Sequence, residues 1–270
     1  METDALKSRL RSMIAARRNS LIARYMADGA AKYLRAYNNH QNWHARYNGE
    51  ARIFHLFANI LDGQVFDVGA NEGQWASMAL EVLDPNRLHC FEVLPQAFER
   101  LKEYLGPDTK AAVNHFGLGS TAGSIDFYFY PDFSQRSTSY SLNDGYRKEK
   151  IKVSVITGDQ YISQRGIRQI AFLKLDVEGM EMEVLQGLSS SLRAGIIQAI
   201  QFEHGPAHAV AHHLLKDFLE LLENHSYTVF KIFPKTLVKI EYDPERDESF
   251  VGQNLLAVRS EILDRLSSAF

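Results

Sequence analysis

The chain has 270 residues, of which 45% are hydrophobic and 23% are charged, and its formal net charge at pH 7 is -3. This length and composition favour one α/β domain with an appendage, and the charge does not indicate a nucleic-acid partner. One cysteine, Cys90, excludes an intrachain disulfide framework and a zinc site made of several thiolates. No apolar run approaches the roughly 18 residues of a membrane span and no signal peptide is evident, so we expect a cytoplasmic protein.

Residues 1–60 are predicted to form an N-terminal helical extension. Apolar residues recur at helical spacing from Leu6 to Leu34, and residues 1–50 contain nine Lys and Arg against four Asp and Glu, a local charge of +5. We interpret this extension as a helical lid. The alternative left open is that its basic face docks on an anionic group, such as a nucleotide sugar, a membrane-linked glycan or the membrane surface itself.

Residues 61–270 form the second predicted unit, in which short apolar strands alternate with amphipathic helices. The alternation predicts an α/β fold with a mostly parallel sheet, right-handed crossovers and an antiparallel pair of strands at the sheet edge. Seven strands are expected, at 64–68, 87–92, 111–116, 170–176, 196–203, 226–233 and 254–259. Two further strands, 124–130 and 151–156, have no helix between them, so we predict a β-hairpin insertion around 120–157.

The first strand of this unit ends at Asp67 and leads into a glycine turn. Gly69 and Gly73 allow close approach of a ligand to the backbone, with Ala70 and Asn71 between them. The spacing lacks the Gly-x-Gly-x-x-Gly fingerprint of dinucleotide binders, which argues against a nicotinamide-dependent dehydrogenase. It favours a smaller cofactor with a cationic amino-acid end, such as S-adenosylmethionine, which Asp67 could help to hold. The simpler interpretation is a βα turn without a ligand.

The ends of the next two strands carry further candidates. Glu92 ends the second strand, where a carboxylate can accept hydrogen bonds from both hydroxyls of an adenosine ribose. Gly117 and Leu118 follow the third strand and could contact an adenine ring. A solvated loop carboxylate and an ordinary turn are the simpler alternatives.

The fourth strand ends in an acidic stretch. By strand alternation, Lys174, Asp176 and Glu178 share one face. Open parallel sheets bind ligands beyond the carboxyl ends of their strands, so Asp176 and Glu178 are candidate site residues. Glu181 falls in the first turn of the following helix, where the helix dipole favours a negative charge, and we assign it a capping role.

Four segments, DVGANEG, FEVLP, GLGSTAG and LKLDVEGMEMEVLQGL, occur in this order along the chain. Together they resemble the FkbM-type family of S-adenosylmethionine-dependent methyltransferases, over about residues 60–205. The resemblance implies a class I, Rossmann-like methyltransferase fold that methylates hydroxyl oxygens of sugars or natural products. One departure is that Val93-Leu94-Pro95 follows Glu92 where the family usually has FEP, although the acid itself is kept.

The resemblance also implies roles for individual residues. The stretch 67–73 would hold the methionine end of the cofactor, Glu92 the ribose, and Gly117 and Leu118 the adenine. Residues 176–178 would border both the cofactor and the acceptor.

Methyl transfer to an alcohol requires in-line approach and a base that removes the hydroxyl proton. The candidate catalytic residues are Asp176, Glu178 and His204, because His204 ends the fifth predicted strand and imidazole titrates near neutrality. A divalent metal held by Asp176, Glu178 and either Glu203 or His204 is a less favoured alternative.

The expected acceptor is a hydroxyl of a sugar or glycan. The alternatives are a polyketide or other natural-product hydroxyl, a carboxylate, and a cofactor-binding module without catalysis. The polar loop 134–140 could frame a polyhydroxylated acceptor. The acceptor's identity and the oligomeric state are left open.

Overall fold

The computed structural model describes residues 2–133, 137–141 and 145–266. Its strands form a main sheet and a small second sheet. In chain order, the strands are β1 (Gln64–Val68), β2 (Leu88–Phe91), β3 (Ala112–Asn114), β4 (Gly117–Leu118), β5 (Gly123–Phe129), β6 (Glu149–Ile156), β7 (Ile170–Leu175), β8 (Ala199–His204), β9 (Tyr227–Ile232), β10 (Leu237–Lys239) and β11 (Gln253–Arg259).

The main sheet contains eight of these strands in the order β10-β9-β11-β8-β7-β1-β2-β3. Neighbouring strands from β8 to β3 are parallel, whereas β11 runs antiparallel to both β8 and β9. The predicted Rossmann-like, mostly parallel sheet and the antiparallel pairing of its last two predicted strands are confirmed. The count is one higher than the seven expected, because β10, three residues long and largely exposed, pairs antiparallel with β9 as an edge strand. A strand this short shows no alternating pattern in the sequence.

The second sheet contains β4, β5 and β6. Strands β5 and β6 pair antiparallel from Gly123 opposite Val155 to Phe129 opposite Glu149, and β4 pairs parallel with β6. The β5–β6 pair falls in the stretch 120–157, where the sequence predicts an inserted hairpin. Residues 134–136 and 142–144 of the connection lie outside the described residues, so the prediction for the polar loop 134–140 is only partly covered.

The helices connect and cover the strands. They are α1 (Glu2–Ala16), α2 (Leu21–Tyr37), α3 (Ala45–Asn48), α4 (Glu50–Ile60), α5 (Gln74–Ala79), α6 (Pro95–Leu105), α7 (Gly158–Arg165), α8 (Glu181–Gln186), α9 (Ser189–Ala194), α10 (Pro206–Ala211), α11 (Leu215–Glu223), α12 (Pro244–Asp247) and α13 (Ser260–Leu266), with a 3₁₀ turn at Pro85–Arg87.

The main sheet separates two apolar cores, because successive side chains of a strand point to opposite faces. Val65 and Phe172 point to the face covered by α4, α5 and α6. Phe66 and Leu173 point to the face covered by α7, α8 and α11. All six residues of β7 are buried, as a central parallel strand requires. Both faces of the sheet are therefore filled, and its polar groups collect at the strand ends.

The first 60 residues divide into an exposed part and a buried part. Helix α4 buries Phe54 and Phe57, whose rings lie 5.5 and 5.7 Å from the ring of Phe172 in β7. Helix α2 has no buried residue and leaves Ile22 75% exposed. Helix α4 is thus part of the core, whereas the lid role of α1 and α2 stays a prediction. Among the described residues, no helix combines the length and apolar character that crossing a bilayer requires.

Candidate active site

A cavity of about 560 Å³ opens at the carboxyl ends of β1, β2, β7 and β8. Open α/β sheets bind ligands at this position, and the volume suits a small-molecule site. Its polar and glycine lining residues are Glu50, Gly69, Asn71, Glu92, Gly117, Ser137, Lys174, Asp176, Glu178, Gln201, Glu203 and Asn254, and its apolar ones include Trp43, Val93, Leu118, Ile125, Phe127, Val153 and Val155.

The register of the strands explains why polar side chains meet here. Asp67 of β1 lies opposite Lys174 of β7, and Lys174 lies opposite Gln201 of β8. On the same face of β8, beyond Gln201, Glu203 lies opposite Asn254 of β11. Residues in register on neighbouring strands point to the same face, here the face covered by α4 and α5. These polar side chains therefore lie next to the apolar core on this face, at the carboxyl ends of the parallel strands.

The turn after β1 requires unusual backbone angles. Gly69, Asn71 and Gly73 all have positive φ, at 82°, 46° and 93°. A Cβ on Gly69 would lie 1.9 Å from the carbonyl oxygen of Asp176, so only glycine fits between the ends of β1 and β7. Gly69 and Asn71 line the cavity, and the cofactor-binding role of this turn stays a prediction.

Glu92 lies between the turn after β1 and the chain after β2. Its side chain accepts hydrogen bonds from the backbone N–H of Asn71 at 2.8 Å and from that of Leu94 at 2.7 Å. Burial raises the pKa of Glu92, and these N–H groups oppose that effect. A carboxylate offers about four lone-pair positions, so Glu92 retains capacity to accept a hydroxyl donor from the cavity.

Lys174 joins two carboxylates beneath the cavity. Its Nζ lies 3.4 Å from Asp67 Oδ1 and 3.2 Å from Asp176 Oδ2. Burial opposes the charge of Lys174, but the carboxylates of Asp176, Asp67 and Glu50 outweigh it and raise the pKa of the ammonium group. Asp67 is fully buried and does not line the cavity, so it acts on the site through Lys174.

The turn between β7 and α8 is held from within by Glu181. Its carboxylate accepts hydrogen bonds from the backbone N–H of Val177 and of Gly179, both at 2.9 Å, and it lies 2.8 Å from His208 Nε2. Glu178 has a φ of 51° in this turn. Glu181 therefore fixes the backbone that presents Asp176 and Glu178 to the cavity, close to the capping role expected from the sequence.

Strand alternation separates Glu203 from His204. Glu203 lines the cavity, whereas His204 points to the opposite face, where its ring centroid lies 4.8 Å from that of His208 and 5.0 Å from that of Phe250. Burial, together with the neighbouring His208, lowers the pKa of His204 to about 4. Burial and the nearby Asp176 raise the pKa of Glu203 well above its ordinary value.

The structure brings most of the predicted site residues together. Those that line the cavity are Gly69, Asn71, Glu92, Gly117, Leu118, Asp176 and Glu178. Asp67, Ala70 and Gly73 lie behind this surface, and the structure does not bring His204 to it. Within the described residues, no group of three or more His, Cys, Asp and Glu is arranged to hold a metal ion.

The residues that sequence reasoning passed over lie at the other end of the cavity. Gln201 and Asn254 were detectable in principle, because alternation places Gln201 on the face of Glu203 and pairing places Asn254 opposite it. Trp43 and Glu50 carry no comparable signal. They reach the cavity because the segment before α4 places Trp43 against Gly252, just before β11, and because Glu50 at the start of α4 accepts a hydrogen bond from Gln201 of β8.

Comparison with known proteins gives a consistent result. The family model described as "Methyltransferase FkbM domain" matches residues 67–229, more than half of the chain. The 31-O-demethyl-FK506 methyltransferase FkbM of Streptomyces tacrolimicus is 29% identical over 193 residues, which cover 61% of this chain and 72% of that protein. The hexuronic acid methyltransferase AglP of Haloferax volcanii is 27% identical over 194 residues, or 69% of this chain and 77% of that protein.

A third relative matches a shorter stretch. The 2-O-methyltransferase NoeI of Sinorhizobium fredii is 26% identical over 145 residues, which cover 48% of this chain and 59% of that protein. The segment that matches the family model contains the turn after β1, Glu92 and the end of β7.

Proposed function

The chain belongs to the FkbM methyltransferase domain family, and on this premise we propose that it transfers a methyl group from S-adenosylmethionine to a hydroxyl of a sugar or glycan. The observation that carries the proposal is one cavity in which Glu92, suited to a ribose, and the acids around Asp176, suited to an alcohol, face the same space. The name of one relative, a hexuronic acid methyltransferase, supports a sugar acceptor, and the name of another, a 2-O-methyltransferase, supports transfer to an oxygen atom.

The described residues fit the proposed cofactor. Glu92 faces the cavity with capacity to accept a ribose hydroxyl, and Gly117, Leu118 and Val155 provide an apolar surface for an adenine face. When bound, S-adenosylmethionine supplies a methyl group attached to a positively charged sulfur. Asp176 and Glu178 give the cavity the negative charge that such a cation favours.

We assign Asp67 and Lys174 a positioning role. Asp67 holds the Lys174 ammonium group, which in turn holds Asp176 at the border between the two ligands. Asp176 and Glu178 remain the proposed border residues, supported by the left-handed turn that presents them.

For the general base, the cavity favours Glu203 over His204. The Glu203 side chain faces the cavity, and burial together with the nearby Asp176 raises the pKa of its carboxyl, which makes its carboxylate a stronger base than a solvated one. In the proposed step the hydroxyl oxygen forms a bond to the methyl carbon while the hydroxyl proton moves to the Glu203 carboxylate. The carbon–sulfur bond breaks, and its electron pair stays on sulfur.

Calorimetry and acceptor screening test this function. We expect S-adenosylhomocysteine to bind and labelled methyl groups to appear on hydroxyls of glycans in a screen of sugars and glycans. Glu203→Gln should lower kcat by at least about a hundredfold with the cofactor affinity retained, and His204→Gln should not. Absence of cofactor binding would contradict the proposal. Binding without turnover on any acceptor would favour a non-catalytic module, and transfer only to polyketide hydroxyls or to carboxylates would favour the other acceptor classes.

The exposed helix α2 supports a peripheral contact with an anionic membrane surface that carries a lipid-linked glycan. Ile22, Met26 and Tyr33 fall on one face of the helix, while Arg24 and Lys32 fall on the other. A helix with an apolar face opposite a basic one is typical of binding parallel to the bilayer surface.

Vesicle sedimentation tests this contact. The protein should bind phosphatidylglycerol-containing vesicles and not phosphatidylcholine vesicles, and Ile22→Asp combined with Met26→Asp should abolish binding. Val210→Asp, which changes an exposed apolar residue of α10, is the matched control. Equal binding of the double variant would rule out α2 as the contact.

A further inference from the structure

We infer that Trp43, Gln201, Glu203 and Asn254 form an acceptor subsite for an uncharged sugar ring, and that this subsite rejects uronates. The inference rests on the proposed function, because it places the acceptor in the same cavity. It adds the charge class of the acceptor and the residues that select it.

The segment that carries Trp43 is fixed to the core rather than loosely attached. The side-chain amide of Asn39 donates to the carbonyl of Asn48 at 2.8 Å and to the carbonyl at the end of β9 at 3.1 Å. The backbone N–H of Gln41 donates to the carbonyl of Gly252 at 3.2 Å. These bonds hold Trp43 over the start of β11, so its indole has a defined place at the mouth of the cavity.

The indole and the Glu203 carboxylate meet over Gly252. A Cβ on Gly252 would lie 2.4 Å from the Trp43 ring and 3.0 Å from Glu203 Oε1, and Gly252 has a φ of 83°. Trp43 lines the cavity and yet remains 60% exposed. An aromatic face beside hydrogen-bond acceptors matches a sugar ring, which has an apolar C–H face and a rim of hydroxyl donors.

Gln201 supplies a buried acceptor that needs a donor. It is 1% exposed, and its Nε2 donates to Glu50 Oε2 at 2.6 Å. Its Oε1 has no hydrogen-bond partner among the described residues and belongs to a side chain that lines the cavity. An unpaired buried acceptor costs free energy that a ligand hydroxyl would recover. Asn254, in register with Glu203, extends the same polar rim.

The charge of the cavity selects against anionic acceptors. Five carboxylate residues line it, Glu50, Glu92, Asp176, Glu178 and Glu203. Lys174 is the cation among the described lining residues, and it is held by Asp67 and Asp176. A uronate would add a carboxylate beside carboxyl groups whose ionisation burial and mutual repulsion already oppose, and the one cation in the described lining, Lys174, is already held by Asp67 and Asp176. A neutral hexose meets no such penalty.

Fluorescence of Trp43 tests ligand binding without turnover. The chain has two tryptophans, and Trp75 is buried, so acrylamide quenching reports mainly on Trp43. With S-adenosylhomocysteine present, we expect a panel of methyl hexopyranosides to protect Trp43 and the matching methyl hexuronopyranosides to give no protection at equal concentration.

Variants separate binding by Trp43 from a general structural role. Trp43→Ala should raise the KM for a hexoside substrate about tenfold and leave the cofactor affinity unchanged. Trp43→Phe should recover most of the loss in acceptor affinity. Tyr47→Ala is the matched control, since Tyr47 is 70% exposed in the same segment and does not line the cavity.

Three results would overturn the subsite: protection by uronosides as strong as by hexosides, no protection by any hexoside, or an unchanged KM in Trp43→Ala. Loss of cofactor binding by the unaltered protein would instead contradict the proposed function. Cofactor affinity is measured in the same samples, so the two failures are distinguishable.

Discussion

The two halves of the cavity are built by different means. The half assigned to the cofactor depends on backbone geometry, namely the left-handed turn at Gly69 and the N–H groups that fix Glu92. The half assigned to the acceptor depends on side chains from distant parts of the chain, such as Trp43, Gln201 and Asn254. The first half lies within the segment that matches the family model, and the second reaches beyond it on both sides.

This difference suggests how one fold can keep a cofactor and change its acceptor. A turn that tolerates only glycine next to Asp176 leaves little freedom for substitution. Trp43 is exposed and Asn254 is half-buried, so these two side chains of the acceptor half can be exchanged with less disturbance to the sheet. Lys174 stands between the halves, because it holds both Asp67 and Asp176.

The largest effect is expected at that junction. Lys174→Met should lower the free energy of unfolding by about 3–5 kcal/mol, because buried Asp67 would lose the cation that compensates it. Urea denaturation measures the change. Asp67→Asn in the same background should recover part of the loss.

Lys150→Met provides the control for this experiment. Lys150 forms a 2.7 Å ion pair with Asp126 on the exposed face of β6, where solvent screens the charges, so its loss should change stability little. If Lys174→Met kept full stability and lost only cofactor binding, Lys174 would act in the cofactor half alone. That result would contradict its position as the link between the two halves.

The next effect tests the cofactor half alone. Glu92→Gln should weaken S-adenosylhomocysteine binding about 10- to 100-fold, because the carboxylate both fixes the turn at Asn71 and remains available to the ligand. Calorimetry measures the affinity, and Glu99→Gln on the exposed face of α6 is the control. Hexoside protection of Trp43 should change much less, and an equal loss of both would show that the halves are not independent.

The same division describes what the sequence could predict. The turn from Asp67 to Gly73, Glu92 and the end of β7 are contiguous motifs, so their meeting at one sheet edge followed from the alternation of strands and helices. The small strand β10 could not be predicted, because three largely exposed residues carry no periodic pattern.

The acceptor half could be predicted only in part, for a different reason. Trp43 and Glu50 reach the cavity through contacts with Gly252 and Gln201, which are far away in the sequence. The prediction of His204 at the strand end does not take into account the alternation that directs Glu203 to the cavity. A strict period of two along β8 would have selected Glu203 instead.

A pH effect on stability is expected at the turn between β7 and α8, which Glu181 and His208 hold in place. Burial opposes ionisation of both Glu181 and His208, but their mutual attraction prevails, so the pKa of Glu181 is lowered and that of His208 is raised. Because the His208 pKa is raised, its share of stability is full below an unfolded pKa of 6.5 and is lost as pH rises through the folded value. Because the Glu181 pKa is lowered, its share is full above 4.5 and is lost as pH falls through the folded value.

The stability difference between the unaltered protein and His208→Gln should therefore be largest, about 1–3 kcal/mol, between these two limits, and should shrink on both sides. Urea denaturation from about pH 4 to about pH 9 measures it. Glu181→Gln should give a similar profile, since it removes the other member of the pair. A difference that is independent of pH would mean that the two groups are not ionised together.

The smallest effect is expected in the acceptor half, at Gly252. Gly252→Ala places a methyl group against the Trp43 ring at a position with positive φ, so the indole must move while the cofactor turn is untouched. We expect hexoside affinity to fall severalfold, and S-adenosylhomocysteine affinity to stay unchanged. Gly145→Ala, at a positive φ with open space around it, controls for backbone strain alone. Because both substitutions carry the backbone penalty and only Gly252→Ala displaces Trp43 and Glu203, a loss of hexoside binding confined to Gly252→Ala would assign the effect to the two subsite side chains that meet over Gly252.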